Sequence, residues 1–358
     1  MAPQEKDLVV SGAAGLGAAV ASETHGELGE IEAIRARGYW ELVWIRFRRD
    51  RVAIASGIFI ILLVLIAFVG APIAKHFLGH GPNDLFVGSQ AVTSGLIPAG
   101  PWTWIDYIGF DGHHHHQLLI LGGANTLGQD EFLRLLYGAQ VSLEVAVFST
   151  VGVMIIGVIL GSLAGYFRGW IDTIISRVTE ITMAFPALLF IVALAATVGP
   201  RLNHLTIHGT FAEGVVTLVL IFTVFGWFYP ARIMRAQVLS IREKEYIEAA
   251  RMIGASDLRI IRSHVLPHLV APMIVYSTLI VATYILGEAG LSFLGLGIDP
   301  TTNASWGNLL ADAPQFYTTQ PWLMLWPGLA VLLATLAFNL LGDGLRDAFD
   351  PRAAQQGH

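Results

Sequence analysis

Glu245-Tyr-Ile-Glu-Ala-Ala-Arg-Met-Ile-Gly-Ala-Ser-Asp-Leu-Arg-Ile-Ile-Arg-Ser-His-Val-Leu-Pro267 is a charged island between two long apolar stretches. Glu245 to Ile253 contains no helix breaker, and Gly254 offers a left-handed cap at little steric cost. Ser256 is a good N-cap for a second helix, whose positive end Asp257 would occupy. Leu258, Ile261 and Val265 then recur at helical spacing, until Pro267 forbids continuation. The stretch predicts two short helices around a bend, a compact polar protrusion with a fixed face.

What it protrudes from follows from composition. The 358 residues are 54% hydrophobic and only 13% charged, which excludes an ordinary soluble protein. There is no cysteine, so disulfides and thiolate metal sites are excluded. The three lysines, Lys6, Lys75 and Lys244, lie outside any G-x-x-x-x-G-K-[ST] phosphate loop. No Ser-His-Asp or Cys-His arrangement is legible. The chain is therefore not expected to be an enzyme, to bind a cofactor or to bind nucleic acid.

Working outward, about twenty apolar residues suffice to cross the hydrocarbon. Spans are expected at 52–73, Val141–Tyr166, Ile171–Val198, Val215–Met234, Pro272–Leu296 and Leu323–Leu341. Residues 1–36, Gly-, Ala- and Glu-rich, are expected to be a disordered tail rather than a signal peptide. Residues 37–51 place Trp40, Trp44 and Phe47 on one helical face, with Arg46, Arg48, Arg49 and Arg51 near its end. That composition suits an interfacial amphipathic helix on an anionic bilayer. Residues 74–138 form a long outer loop, 139–350 the rest of the core and 351–358 a terminal tail. Pro186 is expected to kink the third span. Six spans put both termini on one side. If that side also holds residues 243–268, it carries 18 of the 21 Lys and Arg, leaving only Lys75, Arg134 and Arg201 outside. The positive-inside rule then makes it cytoplasmic.

At this point the sequence resembles a family. Glu248-Ala249-Ala250, Gly254 and Leu266-Pro267 match the "EAA…G…LP" signature of ABC-importer permeases, and His264-Val-Leu-Pro267 is close to the form in its peptide branch. Thr126 to Leu143 resembles the "GTDxxGRDxxSRLLYGARxSL" segment of dipeptide and oligopeptide permeases, with departures at Gln129, Glu131, Phe132 and Leu133. Gly165 to Asp172, Ala184-Phe-Pro186, Gly287 to Gly297, Ser305-Trp-Gly-Asn308 and Ala337 to Asp347 extend the likeness over about residues 40 to 352. The resemblance is to the dipeptide/oligopeptide/nickel family, second permease subunit type. It implies an all-α integral membrane protein with six transmembrane helices and a cytoplasmic coupling-helix loop. It also implies a homologous permease partner, two ATPase subunits holding ATP and Mg, an extracytoplasmic substrate-binding protein, and a place in the bacterial cytoplasmic membrane. Glu248, Ala249, Ala250, Gly254, Ser256, Asp257, Leu266 and Pro267 would form the ATPase contact.

Two carboxylates, Glu180 and Glu288, are singled out within spans. Charge there is costly, so each must face protein or water rather than lipid. Lining the transport path and pairing within a packed interior are both open. The same two positions would suit a rival class, a proton-coupled secondary transporter, although it leaves residues 243–268 unexplained. A passive channel or membrane scaffold is a third class; it predicts flux or assembly with no ATPase attached. His113, His114, His115 and His116 form a run on the outer side, with His76, His80, His204 and His208; imidazole is a common metal ligand. A run of loop histidines does not by itself fix a coordination geometry. Di- or oligopeptide cargo is expected, with nickel or another small solute as the alternative.

Overall fold

The computed structural model describes residues 39–87, 89–93, 95–108, 114–202 and 211–350. The tails expected at 1–36 and 351–358, together with His113, His204 and His208, lie outside the described residues. The chain divides into two units, Met1–Ile45 and Arg46–His358. In the first, the described residues open a helix, α1, spanning Tyr39–Arg49.

In the second unit, α2 (Arg51–Leu78) is the first continuous span. Its N-cap Asp50 accepts from the backbone N–H of Val52 and Ala53 at 2.9 and 3.1 Å. Within the expected all-α architecture, the segment after α2 adds one small β element. An antiparallel hairpin pairs β1 (Thr103–Ile108) with β2 (His114–Leu119) and rests on a small core of Phe86, Ala91, Ile105 and Leu119. The next helix, α3 (Glu131–Phe167), starts ten residues before the expected Val141, because Asp130 caps it by accepting from the Leu133 N–H.

The third crossing is broken. α4 (Gly169–Ala184) and α5 (Ala187–Leu202) meet at 85°. Pro186 does more than kink a span, because it forces Phe185 out of the helical region, to ψ 142°. α6 (Val215–Gly226) and α7 (Phe228–Arg242) are bent by 44°, where Pro230 cannot donate to the Gly226 carbonyl. α8 (Glu245–Met252) is short, and α9 (Asp257–Phe293) is long and continuous. α10 (Trp306–Asp312) and α11 (Trp322–Phe349) complete the chain. By length and composition, four helices can each cross a membrane, and six crossings result if each bent pair counts as one.

α3 and α7 pack most closely. The contact is a stripe of small residues: Gly157, Gly161 and Gly165 share one face of α3. A Cβ at Gly157 would lie 2.7 Å from Pro230, one at Gly165 would lie 2.8 Å from the Arg235 carbonyl, and one at Gly161 would strike Ala231. In lipid, where apolar side chains gain little by leaving their surroundings, such backbone approach carries helix association. Val145, Phe222, Tyr284, Ile285 and Phe338 fill the main core between α3, α6, α9 and α11.

Candidate functional site: the loop between α7 and α9

Residues 243–268 form a bend with a firm base and an apolar tip. Ile247 and Ala250 of α8 are buried with Met234, Val238, Ile260, Val265 and Leu269. α8 closes as expected at Gly254, with φ +83°. The Gly254 N–H donates to the Arg251 carbonyl at 2.9 Å, and the Ala255 N–H to the Ala250 carbonyl at 3.0 Å. These two bonds make a Schellman motif, which fixes the direction of the chain as it leaves the helix. Ser256 stands at the N-cap of α9 with extended backbone, but its side chain makes no capping bond.

The second expected helix is not separate. A π-helical turn, Ile261–Val265, precedes Pro267, and the Leu266 N–H donates to the Ile261 carbonyl. That wider turn absorbs the proline, so α9 runs unbroken into the membrane span. The same turn corrects the expected face. With one extra residue in the turn, Ile260 rather than Ile261 falls beneath Val265, and both Ile260 and Val265 are buried. Leu258, expected to share a face with Val265, is 75% exposed; Met252 and Ile253 are 83% and 86% exposed. Glu248, Ala249, Gly254, Ser256, Asp257 and Pro267 are exposed as well, while Ala250 is buried and Leu266 half-buried.

Tyr166, which sequence reasoning passed over, ties this loop to the end of α3. Its hydroxyl donates to Asp257 Oδ1 at 2.6 Å, and its carbonyl accepts from Arg242 Nη1. The guanidinium groups of Arg251 and Arg242 lie 5.3 and 5.8 Å from its ring centroid. Beside it, Arg168 pairs with Glu243 at 2.5 Å. One aromatic side chain thus touches α7, α8 and α9 together. Tyr166 falls inside a fragment with family likeness, but nothing in the sequence places it against residues ninety positions away.

Glu288 is completely enclosed. The hydroxyls of Ser142 and Ser292 donate to it at 2.6 and 2.7 Å, and the Trp306 N–H donates on to Ser142 Oγ at 3.3 Å. Glu288 therefore joins α3, α9 and the start of α10 and faces no open path within this chain. The Ser305-Trp-Gly-Asn308 run is explained by the same joint. Ser305 and Asn308 form a reciprocal capping box, Trp306 is buried and donates to the Leu135 carbonyl, and a Cβ at Gly307 would sit 2.5 Å from the Ala289 carbonyl. Nearby, Arg134 is buried and donates to Gln129 at 2.7 Å and to the Pro300 carbonyl at 3.1 Å. Burial pushes the Asp312 carboxyl up, against the pull of Arg134.

Glu180 lies on α4, exposed and paired with Arg177 at 2.9 Å. It borders a cleft of about 190 Å³ between α4 and α7, near Thr179, Met183 and Arg232. Asp172 ties the same two helices, accepting from Arg235 at 2.5 and 2.7 Å. A further carboxylate within a span, Glu144 on α3, was also passed over. Its sequence signal is spacing: Tyr137, Gln140 and Glu144 recur on one helical face. The described histidines do not converge. His116 pairs with Asp106 at 2.5 Å and stacks on Trp104, His115 stacks on Tyr107, and His80 bonds Asp130 at 2.8 Å. Among the described residues no group of three His, Asp or Glu has metal-binding spacing.

Apolar helices long enough to cross a membrane four to six times, joined by a charged loop with an apolar tip, define a multi-pass membrane subunit. The chain belongs to the family described as "Binding-protein-dependent transport system inner membrane component", which it matches over residues 157–355. Residues 38–85 match the N-terminal TM domain of oligopeptide transport permease C. It is 43% identical over 230 residues to dipeptide transport system permease protein DppC of Alkalihalophilus pseudofirmus, covering 64% of this chain and 71% of that one. It is 35% identical over 315 residues to glutathione transport system permease protein GsiD of Pectobacterium atrosepticum, covering 87% and 91%. Inward-facing MetNI methionine ABC transporter is similar over 61% of this chain and 97% of that chain, at TM-score 0.48 and 20% identity. The protein is a multi-pass permease subunit of an ABC importer and is not itself the ATPase.

Proposed function

We propose that this chain is the second-type permease of a di- or oligopeptide importer, and that residues 243–268 are its coupling element. The observation that carries the reading is the exposure of Met252, Ile253 and Leu258 around a rigid, left-handed bend. Three large apolar groups on a charged loop, two of them before α9 and Leu258 in its first turn, are the mark of a surface that another protein covers. The occupant is an ATPase subunit carrying ATP and Mg. Two such subunits, a homologous permease and an extracytoplasmic binding protein complete the importer. Both termini and the loop face the cytoplasm in this reading, which the distribution of Lys and Arg supports, and α1 lies along that membrane surface. The names of the dipeptide and glutathione relatives support a peptide cargo.

The mechanism follows from the packing. Closure of the ATPases pushes the loop. The loop is held to α3 through Tyr166 and continues without interruption into α9, so α3, α7 and α9 tilt together and the path re-opens on the other side. Gly254→Val tests this. A Cβ there meets nothing within 4 Å in its own chain, so the internal cost is the left-handed backbone, about 1–2 kcal/mol. The steric clash falls on whatever docks. The variant should insert at normal abundance yet lose substrate-stimulated ATP hydrolysis and uptake, and Glu248→Ala should do the same more mildly. Normal uptake by Gly254→Val at normal abundance refutes the assignment of the loop.

A further inference from the structure

At the end of the bundle opposite residues 243–268, the chain holds a half-open cavity of about 590 Å³. Its size falls within the roughly 300–1,000 Å³ of small-ligand pockets. Tyr137, Gln140 and Glu144 line it along one face of α3, with Lys75, Asp84 and Glu213 contributed by other segments. Asp84 is engaged locally, accepting from the Gly81 N–H at 2.6 Å. Lys75 is exposed. Glu144 is different. It lies thirteen residues along α3 from Glu131, roughly 20 Å at 1.5 Å per residue. It is only 8% exposed, and its single described partner is Gln140, which donates to Oε1 at 3.0 Å. Oε2 has no hydrogen-bond partner among the described residues. A carboxylate at this depth is costly unless it meets water, a cation or a donor, and the cavity is the open space beside it.

We infer that this cavity is a transit site for the peptide within the permease, in which Glu144 receives the ligand's terminal ammonium group. Tyr137 and Gln140, on the same helical face, can bond the peptide amide, and Lys75 is the cation available to the terminal carboxylate. A metal ion fits less well, because no group of three His, Asp or Glu converges among the described residues. The inference rests on the peptide reading above and sharpens it. Selection for a free amino terminus is placed in this chain, in addition to whatever the binding protein selects.

The test uses the purified permease–ATPase complex in lipid nanodiscs, without the binding protein. Thermal midpoints are followed while Ala-Ala or N-acetyl-Ala-Ala is added. Ala-Ala should raise the midpoint of the wild-type complex and the acetylated peptide should not. E144Q should weaken the half-saturating concentration for Ala-Ala about tenfold or more, as loss of a charge-assisted bond does, and E144D should keep most of the effect. Equal responses to the two peptides, or an E144Q complex that responds like wild type, overturn the proposal. If E144Q fails to assemble, the wild-type comparison of the two peptides still decides. Dipeptide uptake by the complete importer is measured in parallel. No uptake refutes the peptide reading itself, whereas uptake without any midpoint shift refutes only this cavity.

Discussion

The two ends of the bundle break the usual rule of burial in opposite senses. Around Glu288 and Arg134, charged side chains are sealed inside the chain; hydroxyls meet Glu288 and an amide and a carbonyl meet the Arg134 guanidinium, although Arg134 Nε has no hydrogen-bond partner among the described residues. Around Gly254, large apolar side chains stand in solvent on a backbone that is itself well bonded. The first is rare and stands only where the buried charge is paired; the second is out of place in a self-sufficient domain. The first is complete within one chain, because every segment that satisfies Glu288 belongs to it. The second is complete only when something else covers it. Buried polar groups here mark a joint, and exposed apolar groups mark a socket.

This contrast can be broken experimentally, and the packing beneath both ends gives the largest effect. Gly161→Leu should abolish accumulation of the protein, since α3 and α7 meet there backbone to backbone; a quantitative membrane blot reads it. Glu288→Ala removes the acceptor that two serine hydroxyls share. With two buried donors left unpaired at about 1–3 kcal/mol each, the complex should lose several degrees of thermal stability. Unchanged stability with reduced uptake would instead make Glu288 part of the transport path. Met252→Ser with Ile253→Ser should leave stability nearly untouched and sharply reduce co-purifying ATPase, the reverse of the Glu288 pattern. Tyr166→Phe gives the smallest effect: loss of one bond to Asp257, about 0.5–1.5 kcal/mol, read as weaker coupling of ATP hydrolysis to uptake at normal assembly.

The loop was legible in sequence because its signals are local. The Gly254 cap, the helix before it and the start at Ser256–Asp257 each depend on residues within a turn of one another. Ile261 rather than Ile260 was paired with Val265 because a strict 3.6-residue period has no means of representing a π-helical turn. The third span was over-simplified for a related reason: Pro186 announces a disturbance, but its size depends on what α4 and α5 pack against. Glu288 was recognised as exceptional, yet its partners Ser142 and Trp306 are long-range and become visible only in three dimensions. Tyr166 was passed over because an ordinary tyrosine at a helix end carries no periodic signature, and Glu144 because the polar face it shares with Tyr137 and Gln140 is short and its burial is visible only in the fold.

The π-helical turn ahead of Pro267 also works as a phase shifter. It inserts one residue's worth of rotation, about 100° on an α-helical wheel, between the membrane-embedded part of α9 and the segment bearing Leu258. The azimuth of the docking surface is thereby set independently of the face that α9 turns toward the bundle. Removing one residue from 261–265 and restoring regular helix would leave the span seated as before while turning Leu258 to another quadrant and drawing it about 1.5 Å closer to the membrane.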